Sequence, residues 1–197
     1  MFKTLSIAAV LVGFAVTLSA QVSPYPDTFK VNYFANANTE GCLDGTLRIT
    51  NVGTQTGSTT DPSGNLCALI YVFDASQELS ECCGSKITPD GLLTLSVNND
   101  LTSNQKTLTD VPLVTGDLKI VSSTSCNPTK PAPAAGVRAW MTHMQTFVPP
   151  FAFQTETESS DSNLSTGELD GLAARCAAIH LVGSGFGICT CGTSTAP

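Results

Sequence analysis

The chain predicts a mainly β protein: an antiparallel β-sandwich, Ig-like or related, with one C-terminal α-helix packed on it and disulfides stapling the assembly. Three observations carry that reading. Short segments of alternating hydrophobicity recur along most of the sequence, separated by turn residues. One segment of helical period follows near the end. Eight cysteines, Cys42, Cys67, Cys82, Cys83, Cys126, Cys176, Cys189 and Cys191, come after an export signal and none lies within it. An even set of thiols sent to an oxidising compartment is expected to form a disulfide framework.

The signal is read from residues 1–20. Lys3 supplies the positive charge, Ile7 to Leu18 is the apolar stretch, and Leu18-Ser19-Ala20 offers small residues for cleavage. About a dozen apolar residues fall short of the ~20 needed to span a bilayer. The expected product is a secreted, extracellular or periplasmic protein, cleaved near Ala20, with 21–197 as a single domain and no membrane span. Removing the signal takes away only Lys3 and so deepens the net charge from −7 to −8. Few basic residues spread thinly give no electrostatic footprint for nucleic acid or an anionic membrane.

Each element has its own justification. Pro24 and Pro26 make residues 21–27 an extended lead-in. From Thr28 a strand begins, with Phe29, Val31, Tyr33 and Ala35 on one side and Lys30, Asn32, Phe34 and Asn36 on the other. Gly45 to Val52 repeats the alternation with Leu47 and Ile49. A polar loop, 53–65, precedes Leu66 to Phe73, whose nearly continuous apolar run predicts a strand buried on both faces. Gln77 to Cys83 reads as its partner. Thr88-Pro89-Asp90-Gly91 is a turn in which Gly91 can take a positive φ. Gly91 to Val97, Asp117 to Ser122, Val137 to Thr146 and Phe151 to Thr155 supply further strands. Pro128, Pro131 and Pro133 stiffen the loop before Val137.

The helix is expected at about 165–182. Ser165 and Glu168 have capping-box spacing, Leu169, Leu172, Ala173, Cys176 and Ile179 form an apolar stripe, and Gly183 is a suitable stop. Ile188 to Cys191 would close the chain as a short strand.

The cysteine spacings constrain their pairing. On a strand, Cys82 and Cys83 point to opposite faces and need different partners, as do Cys189 and Cys191, whose side chains run parallel. Cys176 is a natural mate for Cys189 or Cys191. Zinc is disfavoured, because CC and CxC spacings and two distant histidines, His143 and His180, do not match structural zinc patterns. Glu156, Glu158 and Asp161 are weak calcium candidates in an acidic stretch whose ordinary reading is a solvated loop; Asn98, Asn99 and Asp100 share that discount. Gly183 to Gly187 follows a helix instead of opening one, which excludes a phosphate loop. No nucleophile elbow, zinc-protease motif or reactive-cysteine signature is present, so no catalytic residue is assigned and no cofactor is expected.

The runs Cys67-Ala-Leu-Ile-Tyr-Val-Phe-Asp74, Cys82-Cys83, Thr88-Pro89-Asp90-Gly91-Leu92, Leu164 to Leu169 and Gly183 to Cys189 together resemble an uncharacterised family of secreted, cysteine-containing bacterial proteins of unknown function. The resemblance covers about Gly41 to Cys191. Ser85 stands where that family's pattern tends to a third cysteine. It implies export and supplies no catalytic residue. The expected function is therefore non-catalytic: binding of an extracellular ligand or protein, or a structural role at the cell surface or in a matrix. The alternatives are an extracellular hydrolase using paired carboxylates for glycoside chemistry, and a calcium-stabilised adhesion module.

Overall fold

An unbroken apolar strand needs cover on both sides, and the fold provides it. The protein is described from a computed structural model covering residues 24–55, 63–105, 112–148, 151–183 and 185–190. Residues 1–20, expected to be an export signal, residues 56–62 of the polar loop, and Cys191 lie outside the described residues. The strands are β1 (Tyr25–Phe34), β2 (Thr46–Asn51), β3 (Leu66–Asp74), β4 (Leu79–Ile87), β5 (Leu92–Ser96), β6 (Gly116–Ser123), β7 (Val137–Val148), β8 (Phe151–Glu158) and β9 (Ser160–Leu164). A single π-helical turn, Val97–Leu101, follows β5, and one helix, α1 (Thr166–Val182), follows β9.

Two antiparallel sheets result, with strand orders β4-β3-β6-β1-β9 and β5-β2-β7-β8. Their facing sides enclose one core, where Leu66, Ala68, Ile70 and Val72 of β3 meet Leu47, Ile49, Leu118 and Met141. The intervening residues of β3, Cys67, Leu69, Tyr71 and Phe73, face the other way into a second core closed by Leu169, Leu172, Cys176 and Ile179 of α1. The architecture is thus a β-sandwich with a helix on the outer face of the larger sheet. Burying each Leu, Ile or Phe of these layers contributes roughly 1.5–3 kcal/mol. Tyr71 is buried with them because its hydroxyl donates to Pro128 O at 2.8 Å.

β1 departs from the simple alternation. Phe29 faces the helix side, while Phe34 faces the second sheet and Lys30 is buried at 1% exposure. Because β1 is an inner strand with cover on both faces, its polar side cannot reach water. Lys30 is instead ion-paired to Asp27 and Asp161, each at 2.5 Å.

The acidic stretch expected as a loop is two edge strands. β8 completes the smaller sheet beside β7 and β9 completes the larger one beside β1. The chain changes sheet at Ser159, whose N–H donates to Ala139 O at 2.8 Å and whose hydroxyl accepts from Asn32 at 3.0 Å. Edge position explains the composition: polar side chains face water while the backbone still pairs on one side.

Smaller features also shift. In the Thr88–Gly91 turn Asp90 takes the positive φ of 58°, while Gly91 N donates to Thr88 O at 2.8 Å. Ser165 caps α1 by accepting from Glu168 N at 3.1 Å, but the Glu168 carboxylate pairs with Lys119 at 2.6 Å instead of reaching back to complete a capping box. Gly183 ends the helix at φ 65° and donates to His180 O at 3.2 Å.

Three disulfides are described: Cys67–Cys126, Cys82–Cys176 and Cys83–Cys189. Cys82 and Cys83 do point to opposite faces, one toward α1 and one toward the inter-sheet core. Cys176 does not pair with its neighbours in sequence. The helix lies across β4, which brings Cys82 to it and leaves Cys189 to Cys83. The Cys67–Cys126 bridge requires close passage over Gly84, where any Cβ would meet Cys126 O at 2.0 Å. Residues 185–190 form no strand; they run beside β4 with Cys82 N donating to Gly187 O at 2.8 Å and a single parallel bridge from Cys82 to Ile188.

Candidate functional site

The helix end is more apolar than a single buried stripe requires. Leu181 and Val182 are 85% and 74% exposed, and Phe186 in the following loop is 42% exposed. Together with Leu79 of β4 and Ala178 and Ile179 of α1, Val182 and Phe186 line an open groove of about 450 Å³. Gln77 and Glu78, from the β3–β4 turn, and Arg175 of α1 supply its polar groups. The volume falls in the range of ligand pockets, and an apolar lining with a few polar groups is their usual chemistry. Arg175 lies over the Phe73 ring at 5.7 Å from its centroid, on the α1 side of the sheet.

Phe186 is held in this wall by a hydrogen-bonded relay. Asn104 donates through its side-chain amide to Gly185 O at 2.7 Å and Ile188 O at 2.8 Å, and its carbonyl accepts from Gly187 N at 2.6 Å. Asn104 N in turn donates to Glu81 Oε1 at 3.0 Å. Glu81 is fully buried and its Oε2 has no hydrogen-bond partner. Burial pushes its pKa up to about 8, against the opposing effect of the Asn104 hydrogen bond, so the carboxyl is mainly protonated at pH 7.

A second, smaller cleft of about 330 Å³ opens where β1 faces β8, lined by Val31, Asn32, Tyr33, Asp117, Thr157, Glu158 and Ser160. Beneath it, His143 stacks on Tyr33 at 4.3 Å between ring centroids and its Nε2 is 2.8 Å from the Thr157 hydroxyl. His143 Nδ1 is buried without a partner, and burial lowers the imidazole's pKa.

The three calcium candidates are distributed over two sheets. Glu156 on β8 pairs with Arg48, Asp161 on β9 with Lys30, and Glu158 lines the small cleft. Asn98, Asn99 and Asp100 build the π turn: Ser96 N donates to Asp100 at 2.7 Å and Asn98 N to Asp44 at 3.0 Å. Among the described residues, one trio of metal-ligand type converges, Cys82, Cys176 and His180, within 4.8 Å of one another. Its two sulfurs are bonded to each other, and a disulfide offers no thiolate to a metal. No helix among the described residues is long and apolar enough to cross a membrane, and the three disulfides fit an extracellular or periplasmic protein.

No family model, curated protein or solved structure matches this chain. Its site must be read from its own residues. The groove residues Gln77, Glu78, Arg175 and Phe186 carry no motif. The available signal was the surplus of apolar residues after Cys176, in Ala177-Ala178-Ile179-His180-Leu181-Val182, beyond what one helix face can bury.

Proposed function

We propose that this chain is a secreted, disulfide-stabilised binding protein without catalytic activity, and that the groove at the end of α1 receives a ligand with an apolar body. The observation that carries this reading is the groove itself: apolar side chains from a helix, a strand and a braced loop converge on one concavity, with Val182 and Phe186 exposed at its rim. The apolar lining favours a hydrophobic ligand surface, and Arg175 and Glu78 offer polar contacts of either sign beside it. The resemblance to secreted bacterial proteins supports export.

The test uses an anionic apolar fluorophore, anilinonaphthalene sulfonate, with the native secreted chain. Saturable one-to-one binding is expected, and Ala178→Trp, at an exposed position that the new ring would fill toward the groove, should abolish it without lowering the melting temperature. Binding that is absent, or that survives this substitution, overturns the reading. The carboxylate-hydrolase alternative has one observation in its favour, since Asp117 and Glu158 line the same cleft. That reading requires glycoside turnover lost in both Asp117→Asn and Glu158→Gln, whereas the binding reading expects none in the parent chain.

A further inference from the structure

We infer that the small cleft between β1 and β8 binds an uncharged saccharide, with the Tyr33 ring as the platform for one face of a sugar and the polar groups around it taking the sugar hydroxyls. This site is separate from the groove at the end of α1, since the two share no lining residue. Tyr33 is 51% exposed, yet its ring is fixed. His143 lies against it at 4.3 Å between centroids, with 29° between the ring planes. A solvent-facing ring that is already held in place loses little freedom when a ligand settles on it. The C–H face of a sugar ring is apolar and weakly positive, so it lies well against the electron-rich face of an aromatic ring.

The residues around Tyr33 supply partners for hydroxyl groups. Asp117 and Glu158 line the cleft with carboxylates, Thr157 and Ser160 with hydroxyls, and Asn32 with an amide. Asn32 is positioned by donating to the Ser159 hydroxyl at 3.0 Å and accepting from Tyr33 N at 2.9 Å. Thr157 is positioned by His143 Nε2 at 2.8 Å. His143 Nδ1 is buried without a partner, and an unpaired acceptor is tolerated there better than an unpaired N–H. The ring proton therefore sits on Nε2 and is donated to Thr157, whose own hydroxyl hydrogen stays free for a ligand. Burial lowers the pKa of His143 and so keeps the imidazole neutral at pH 7. One buried histidine thus braces both the platform and a hydrogen-bond donor.

The lining also selects the charge of the ligand. Two carboxylates line the cleft and no lysine or arginine does. Acidic sugars and phosphorylated ligands are therefore repelled. Carboxylates accept strongly from neutral hydroxyls and need no formal charge in return. A small organic cation would suit the carboxylates but leave the Thr157 and Ser160 hydroxyl donors without acceptors. The cleft volume of about 330 Å³ is at the small end of ligand pockets, a size for a sugar ring instead of a lipid or a folded partner.

Saturation-transfer NMR of the full secreted chain tests this, with methyl β-glucoside, methyl β-galactoside, methyl α-mannoside and N-acetylglucosamine as neutral probes. Methyl β-glucuronide and tetramethylammonium serve as the anionic and cationic comparisons. At least one neutral sugar should bind saturably, with the strongest transfer to protons of one ring face. Tyr33→Ala should weaken that binding by about tenfold or more, whereas Tyr33→Phe, which keeps the ring, should retain it. Asp117→Asn alters an exposed side chain and should fold normally while weakening the same sugar several-fold. Ala178→Trp, in the other groove, should leave sugar binding unchanged, so failure of this site and failure of the apolar groove are read separately. No saturable binding of any neutral sugar, binding that survives Tyr33→Ala, a preference for the glucuronide or tetramethylammonium, or loss of sugar binding in Ala178→Trp overturns the assignment.

Discussion

The two faces of β3 are both dry, yet they are closed by different means. Toward the second sheet, Leu66, Ala68, Ile70 and Val72 meet residues held in a hydrogen-bonded ladder of four strands. Toward the outside, Cys67, Leu69, Tyr71 and Phe73 meet one helix that offers Leu169, Leu172, Cys176 and Ile179. A strand that leaves a sheet breaks a ladder with its neighbours. When α1 leaves the sheet, the links broken among the described residues include side-chain contacts, the Lys119–Glu168 ion pair and the Cys82–Cys176 bond, with no ladder of backbone pairs. The lesson is that equal burial does not mean equal cooperativity, and the groove is built on the layer with fewer restraints.

The largest effect expected from that difference comes from the two bridges of β4. Cys82–Cys176 and Cys83–Cys189 close loops of sequence separation 94 and 106. Chain entropy therefore assigns both nearly the same contribution, about 4–5 kcal/mol. Replacing either pair with alanine should lower global stability by a similar amount in denaturant titration. Hydrogen exchange should separate them. Without Cys82–Cys176, the amides of α1 should exchange well before those of β3 and β6, because the helix layer can open alone. Without Cys83–Cys189, α1 should keep its protection relative to the sheet. Helix and sheet amides exchanging together in the first variant would show that the two layers form one cooperative unit.

Glu81 sharpens the comparison, since it links the tail beside the groove to the interior. Its pKa rises from 4.5 to about 8 on folding because burial disfavours the carboxylate. The folded state therefore binds more protons than the unfolded one between those values, and stability falls as pH rises through that window. The favourable contribution is complete below about pH 4.5 and gone above about pH 8. The change is on the order of a few kcal/mol. Glu81→Gln keeps an acceptor for Asn104 N and removes the titration, so stability measured from pH 5 to pH 9 should lose this slope relative to the parent. An unchanged difference between the two proteins across that range would mean that Glu81 is ionised when folded.

The same contrast explains how much could be read from the sequence. Leu66 to Phe73 announces burial on both sides because a continuous apolar run has no other explanation, and Ser165 to Gly183 carries helix signals at both ends. Phe151 to Thr155 signals the start of β8, but its acidic end and all of β9 are hidden because their side chains face water, so Glu156, Glu158 and Asp161 look like a loop. The disulfide mates of Cys82 and Cys176 depend on where the helix lies across β4, which no local spacing encodes. The groove is harder still. It exists only where the helix end, the β3–β4 turn and Phe186 meet, and Phe186 is placed there by Asn104, far away in sequence.

The smallest expected effect lies at the start of the helix layer. The Ser165 hydroxyl accepts one hydrogen bond, from Glu168 N at 3.1 Å, satisfying a single orphan amide of the first turn. Had Glu168 completed the reciprocal box, Ser165→Ala and Glu168→Ala would weaken one shared motif. Instead the Glu168 carboxylate is held by Lys119, a residue of β6, so the two substitutions should act independently. Ser165→Ala should cost about 1 kcal/mol, while Glu168→Ala, which removes a partly exposed ion pair, should cost less than about 1 kcal/mol. Denaturant titration of the two single variants and the double variant checks this, with additive losses expected. A clear deficit or excess in the double variant would indicate that the box forms in solution, and that Lys119 does not anchor the first turn of α1 to the sheet.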